Sequence, residues 1–377
     1  MPNRRQRPLS TLSALVCAAL LASCGGGDSG PETTRVVSFG DSLSDLGAYT
    51  PATSINGPGT GAPYFGGRFT TNTFTGYTAT NNTANASLWI EWVAARYGLA
   101  ITPHEAGFGT QSVKCPAAAT PALAGTCTGY GQGGSRVTEP NGIGKGSGFL
   151  TVPMTTQMDN HLTRFGNYAG GDLVFVFGGN NDVLMLIGAL LTSQITPDAA
   201  IGVAQATAGE LATLVKDKIV AKGAQRVAVL TTVDFAKTAR FVSATTEQKA
   251  LLTTLADAFN NALSSGLDGV AGVRIIDSNA ILGAFIASPA SYGLTNVTQA
   301  ACDPAKIQVI TGGAVTGGDS LFCNASAGQP FNGMKQGASA STWLFADGVH
   351  PTTGGHKLMA DQVIAKLKDF GWMPVSQ

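Results

Sequence analysis

Short apolar runs rich in β-branched residues alternate with helical periodicities along most of the chain. Residues 35–39, Arg-Val-Val-Ser-Phe, read as a strand that closes on Gly40. Residues 87–97 bring Leu88, Trp89, Trp92 and Val93 to one face, which predicts a helix. Residues 173–177, Leu-Val-Phe-Val-Phe, are apolar without a break between glycines, the pattern of a strand buried on both faces. Thr196 followed by Pro197 predicts a capped helix start, with Lys222 as its end and Gly223 as its stop. Strands over residues 226–233 and 273–277 and helices over 245–263 and 356–368 continue the alternation. Such an order predicts parallel strands joined by right-handed crossovers with helices on both faces. The expected fold is therefore α/β, a three-layer α/β/α sandwich around a central, mostly parallel sheet. Two long segments rich in Gly, Thr and Asn, residues 48–85 and 107–148, interrupt it, and loops of that length usually form binding walls or lids.

Composition narrows the partners. The 377 residues are 44% apolar, and 23 Lys and Arg balance 23 Asp and Glu, so no basic surface is available for nucleic acid. At the N-terminus, Arg4, Arg5 and Arg7 precede an apolar run over residues 12–22, half the roughly 20 residues a spanning helix needs. That pattern is an export signal. It ends in Leu21-Ala22-Ser23-Cys24 before three glycines, which resembles the lipobox of bacterial lipoproteins. The resemblance implies a cleaved lipoprotein signal peptide over residues 1–23, a diacylated Cys24 and a flexible tether over 24–33; because strands and helices alternate beyond it without a linker, a single domain is expected over 34–377. The mature protein is then expected to be exported and held by its lipid at the bacterial outer membrane or cell surface, with no other membrane contact. An ordinary signal peptide, giving a periplasmic or secreted product, is the alternative.

Four cysteines remain in the body. Cys115 with Cys127 and Cys302 with Cys323 are the nearest pairs, each bracketing a loop of small residues, and an oxidising compartment favours disulfides between them. Metal binding is the rival reading, although no Cys-x-x-Cys or adjacent His accompanies them.

Candidate chemistry gathers where strands end, the edge at which open parallel sheets bind ligands. The first strand runs into Gly40-Asp41-Ser42-Leu43, a small-residue turn able to expose the Ser42 hydroxyl. A serine hydroxyl is a weak nucleophile until a base takes its proton. Of the four histidines only His350 has an Asp three positions earlier, Asp347, with Gly348 between them to permit a tight turn. An ester carbonyl under attack also needs donors for the charge that develops on its oxygen. Gly133-Gly134-Ser135 offers backbone N–H groups, and Gly179-Asn180-Asn181-Asp182 offers side-chain amides, unless the asparagines only cap a helix beginning at Val183. Tyr64, Phe65, Phe69, Phe74 and Tyr77 either line an apolar groove or anchor the first long loop to the core.

Four of these segments together, Gly40 to Leu43, Gly129 to Ser135, Gly179 to Asp182 and Asp347 to His350, resemble the blocks of the GDSL, or SGNH, family of serine esterases and lipases. Gly67-Arg68-Phe69 and the region from Pro289 to Tyr292 leading into Cys302 extend the likeness to longer bacterial esterases. The resemblance implies an SGNH hydrolase-like, flavodoxin-like fold. It implies Ser42 as nucleophile, His350 as general base and Asp347 as the residue that orients it. The oxyanion hole would comprise the Ser42 N–H, the Gly134 N–H and the Asn181 side chain. Gly129 stands where the family's second block usually opens with Asn, so Gly133 is the fallback for Gly134. The implied reaction is hydrolysis of a small-molecule or lipid ester without metal or organic cofactor. An acyltransferase on the same scaffold and a non-catalytic binding lipoprotein are the alternatives.

Overall fold

The computed structural model describes residues 32–53, 55–56, 63–64, 66–72, 87–326 and 332–373. The expected signal peptide, Cys24, most of the expected tether, Phe65, Phe74, Tyr77 and the Tyr64 side chain lie outside the described residues. In chain order the elements begin with β1 (Arg35–Gly40), the short helix α1 (Thr50–Thr53), the paired β2 (Ile55–Asn56) and β3 (Pro63–Tyr64), and α2 (Trp89–Arg96). The hairpin β4 (Glu105–Phe108) and β5 (Gln111–Lys114) follows, then α3 (Met154–Phe165), β6 (Asp172–Phe177), α4 (Asn180–Leu191) and α5 (Pro197–Leu214). Next come β7 (Val227–Leu230), α6 (Thr246–Leu267), β8 (Val273–Ile276), α7 (Ser278–Ala287), β9 (Asn296–Ala300), α8 (Pro304–Ile310), β10 (Trp343–Phe345) and α9 (Thr353–Asp369).

The central sheet runs β1-β6-β7-β8, every pair parallel. Alternate side chains of these strands go to opposite faces. Val37, Phe39, Val174, Val176 and Val229 meet α3, α5 and α6 on one side, while Phe175, Phe177, Leu230 and Ile276 meet Trp89 and Val93 of α2 and Val363 and Leu367 of α9 on the other. Burial of both faces explains why the central β6 and β7 read as apolar runs, whereas the edge strand β8 carries the exposed Arg274. On the open edge of β1 the chain adds one further parallel position: Ser38 N–H donates to Thr128 O at 3.0 Å, and Tyr130 N–H donates to Ser38 O at 2.7 Å. Counted with it, the order is that of a flavodoxin-like sheet, whose switch point lies at the C-terminal end of β1.

Element ends differ from the sequence expectation for identifiable reasons. Past Leu230 the ladder of β7 gives one more bond, Thr231 N–H to Ile276 O (3.1 Å), and then the amides turn to side chains, Thr232 N–H to Asn260 Oδ1 (2.8 Å) and Val233 N–H to Asn180 Oδ1 (3.1 Å). The helix expected from Thr196 to Lys222 is α only to Leu214, then widens to a π turn over Val215–Ile219 before Gly223 ends it at φ +99°. Leu211, Val215 and Ile219 recur every four residues, a spacing that drifts around a helix of 3.6 residues per turn, and the wider turn keeps all three buried. The asparagines do not cap α4. Gly179 does, and they form its first turn.

Cys115 is bonded to Cys127 and Cys302 to Cys323. Disulfides persist in oxidising, exported compartments. Among the described residues no helix is long and apolar enough to cross a membrane.

Candidate active site

The C-terminal end of β1 is held open by one glycine and one glutamine. A Cβ on Gly40 would lie 2.4 Å from Phe177 O, so only glycine lets β1 and β6 approach there. Gln157 of α3 supplies the bonds the strand would otherwise lose, accepting from Gly40 N–H at 2.9 Å and donating to Gly40 O at 2.8 Å. Ser42–Ser44 then forms a single 3-10 turn. Asp41 caps it through Leu43 N–H (3.1 Å), and Trp89 Nε1–H fixes its exit by donating to Leu43 O (3.0 Å).

This turn meets the far end of the chain. His350 Nε2 is 2.8 Å from Ser42 Oγ, and His350 Nδ1 is 2.7 Å from Asp347 Oδ2. Asp347 accepts three backbone N–H bonds besides, from Val349 (2.9 Å) and His350 (2.8 Å) on Oδ1 and from Ser320 (3.0 Å) on Oδ2. Burial alone would raise this carboxyl, but the facing imidazole and those donors hold it well below the usual carboxylate range. His350 answers in the opposite sense: burial lowers it, yet the Asp347 charge and hydrogen bond carry it above the ordinary imidazole value. Phe69 lies against the imidazole at 4.9 Å between ring centroids, so this aromatic of the first long loop both anchors to the core and faces the site.

The second segment follows the edge of β1 from Thr128 to Gly129 and turns in beside Ser42. Gly133 donates its N–H to Asp45 Oδ2 at 2.7 Å, whereas Gly134 lines the cleft in front of Ser42. Gly134 has φ +80°, and a Cβ there would fall 2.0 Å from Ile143 O, so no other residue fits. From the third segment, Asn181 Nδ2 donates to Ser135 O (2.8 Å), and Asp182 accepts from Arg136 Nε (2.8 Å) and Val137 N–H (3.0 Å). These bonds join the start of α4 to the glycine loop.

Other groups position these residues, some within the blocks and some outside them. Asn180 donates to Asp41 Oδ2 (3.0 Å), and burial lifts the Asp41 carboxyl to about 6 against that bond. Ser320 is supplied by the Cys302–Cys323 loop, where desolvation and the charge of Asp347 raise the neighbouring Asp319 carboxyl to about 6. Asn72 ties Phe69 to that loop, its Nδ2 donating to Ser320 O at 2.9 Å and Cys323 O at 3.1 Å. The remaining imidazoles are buried away from Ser42, and burial lowers His104 to about 4 and His161 and His356 to about 3.

All of this opens on a cleft of about 640 Å³ lined by Ser42, Gly134, Asn181 and His350 and by the apolar Phe69, Ile143, Phe149, Leu184, Val233 and Phe235. A hydroxyl joined to an imidazole joined to a carboxylate can be deprotonated as it attacks an electrophile, and a cleft whose apolar walls also carry Asn180, Arg240, Asp319 and Lys335 can take an ester by its apolar and its polar parts. A protein-family model described as GDSL-like Lipase/Acylhydrolase matches residues 36–363, most of the chain. No curated protein matches it.

Proposed function

Because the chain belongs to the GDSL-like lipase/acylhydrolase family, we propose that it is a serine esterase or lipase that cleaves carboxylic esters through an acyl-serine intermediate. The observation that carries this reading is the pair of short contacts from Ser42 through His350 to Asp347. His350 Nε2 takes the Ser42 proton as Oγ attacks the ester carbonyl, while Asp347 holds Nδ1–H and stabilises the imidazolium. The oxyanion receives the Ser42 and Gly134 N–H groups and the second amide hydrogen of Asn181, the first being given to Ser135. His350 then protonates the leaving alcohol, and water repeats the attack on the acyl-serine with the same base. The chemistry asks for no metal or organic cofactor.

A fluorophosphonate probe is expected to label the protein once, at Ser42, as located by mass spectrometry of the modified peptide. Label on another serine, or none, would refute the assignment of the nucleophile.

We also propose that the single domain over residues 34–377 is exported and tethered through a diacylated Cys24 at the outer membrane or cell surface. Its partners are then a small-molecule or lipid ester and, through the anchor, the membrane, with nucleic acid excluded by the balanced charge. Cells fed radiolabelled palmitate should incorporate it into the wild-type protein and not into Cys24→Ala. Equal incorporation, or none in either, would return the N-terminus to an ordinary cleaved signal.

A further inference from the structure

α4 leaves the cleft as an apolar rod on the protein surface. After its first three residues it reads Val-Leu-Met-Leu-Ile-Gly-Ala-Leu-Leu, without a polar side chain. A surface helix ordinarily turns polar residues to water. Here Met185 is 40% and Leu191 56% exposed. Leu184 lines the cleft, and Ile187, Leu190 and Leu191 on the following turns line a second groove of about 240 Å³ against Phe241 and Leu251. Arg240 lines both spaces, and its N–H donates to Gly348 O at 2.7 Å, two residues before His350. The second groove therefore continues the first along α4, and apart from Arg240 and Gln248 its lining is apolar.

We propose that this groove holds the acyl chain and that the substrate is an ester of a medium- to long-chain fatty acid. The inference rests on the ester-hydrolase reading above and adds the substrate class. Its dimensions follow from helix geometry: a rise of about 1.5 Å per residue places Ile187 about 9 Å and Leu191 about 15 Å beyond Asn181. An extended alkyl chain, built from C–C bonds near 1.5 Å, advances about 1.3 Å per carbon, so about seven carbons reach Ile187 and about twelve reach Leu191. A butanoyl group ends inside the cleft. A dodecanoyl group fills the groove and removes its apolar wall from water, which is the force that selects it.

The test is a series of chromogenic esters from butanoyl to hexadecanoyl, read as kcat/KM for wild type, Leu191→Glu and Ala244→Phe. Leu191 is exposed and Ala244 only partly buried, so both variants are expected to fold, as circular dichroism would verify. In each the dodecanoyl-to-butanoyl ratio should fall at least ten-fold, and an unchanged ratio in both overturns the acyl site. Calorimetric titration of dodecanoate into Ser42→Ala separates the two readings. Binding weakened at least ten-fold by adding Leu191→Glu supports the groove even if wild type leaves every ester intact, in which case the hydrolase reading alone fails. Hydrolysis of the butanoyl ester with no such dodecanoate site sinks the groove and leaves the hydrolase reading standing.

Discussion

Ser42→Ala is expected to lower kcat for a short-chain chromogenic ester by roughly 10⁶-fold, the size of loss seen when a triad serine is removed, while leaving the thermal midpoint almost unmoved. The two outcomes come from different atoms. The turn that presents Ser42 is fixed by Asp41 at Leu43 N–H and by Trp89 at Leu43 O, and neither bond involves the serine hydroxyl. Oγ itself meets only His350 among the hydrogen bonds of the site. What remains in the variant is an imidazole able to activate water and donors able to meet an oxyanion, enough for a residual rate roughly 10³ to 10⁴ above the uncatalysed one. Since the members act as a unit, Ser42→Ala combined with His350→Ala should be no slower than either alone. A loss under ten-fold in kcat would place the nucleophile on another residue.

How much of this could be read beforehand depended on how local each signal is. β1 and β6 are legible because both faces are covered, and their runs fall within a residue or so of the strand ends; β8 is legible from its β-branched residues although Arg274 is exposed. The run from Arg226 to Val233 reads as one strand longer than β7, since nothing in it reveals that Asn180 and Asn260 take the amides of its last two residues. The sequence shows only a loop from residue 107 onward where β5 and the second half of β4 form a hairpin. Its strand Gln111–Lys114 is exposed at every position and shows no apolar alternation, and its pairing rests on Lys114 and Ser112 meeting Glu105.

For the site, residue types at strand ends are legible in the sequence and the family blocks imply roles. Gly133 and Gly134 are indistinguishable in sequence and neither has room for a Cβ in the structure, but Asp45 takes the N–H of Gly133, which favours Gly134 as the donor in the proposed oxyanion hole. Ser320 had no signal at all. It acts through its backbone N–H, which every non-proline residue possesses, and reaches Asp347 only because Asn72 and the Cys302–Cys323 bond hold its loop in place. Asp45 stood next to the first block and could have been singled out as a buried acid, since its carboxylate gathers Gly47, Ala48 and Gly133.

Asp347→Asn should lower kcat by roughly 10⁴-fold and also move the pH profile, and the second effect identifies the cause. Asp347 Oδ2 faces two donors, Ser320 N–H and His350 Nδ1–H, while Oδ1 accepts from the Val349 and His350 amides. An asparagine brings one oxygen and one NH₂. With the oxygen kept on the two amides, the NH₂ opposes both remaining donors, and His350 is driven to the tautomer that carries its proton on Nε2, where Ser42 needs a base. The wild-type imidazole is raised above 6.5, because Asp347 outweighs the burial that lowers it. Only the neutral ring accepts the serine proton, so kcat/KM of the wild type should rise with pH through a limb above 6.5. Without the carboxylate, burial dominates. Asp319 and Asp41 also face His350, but both are themselves held up to about 6, and their weaker attraction does not restore the balance. The limb of the variant should therefore shift to lower pH while its plateau falls. A reduced plateau with an unmoved limb would mean that another group sets the charge on His350, and that Asp347 serves only to shape the loop from Phe345 to Pro351.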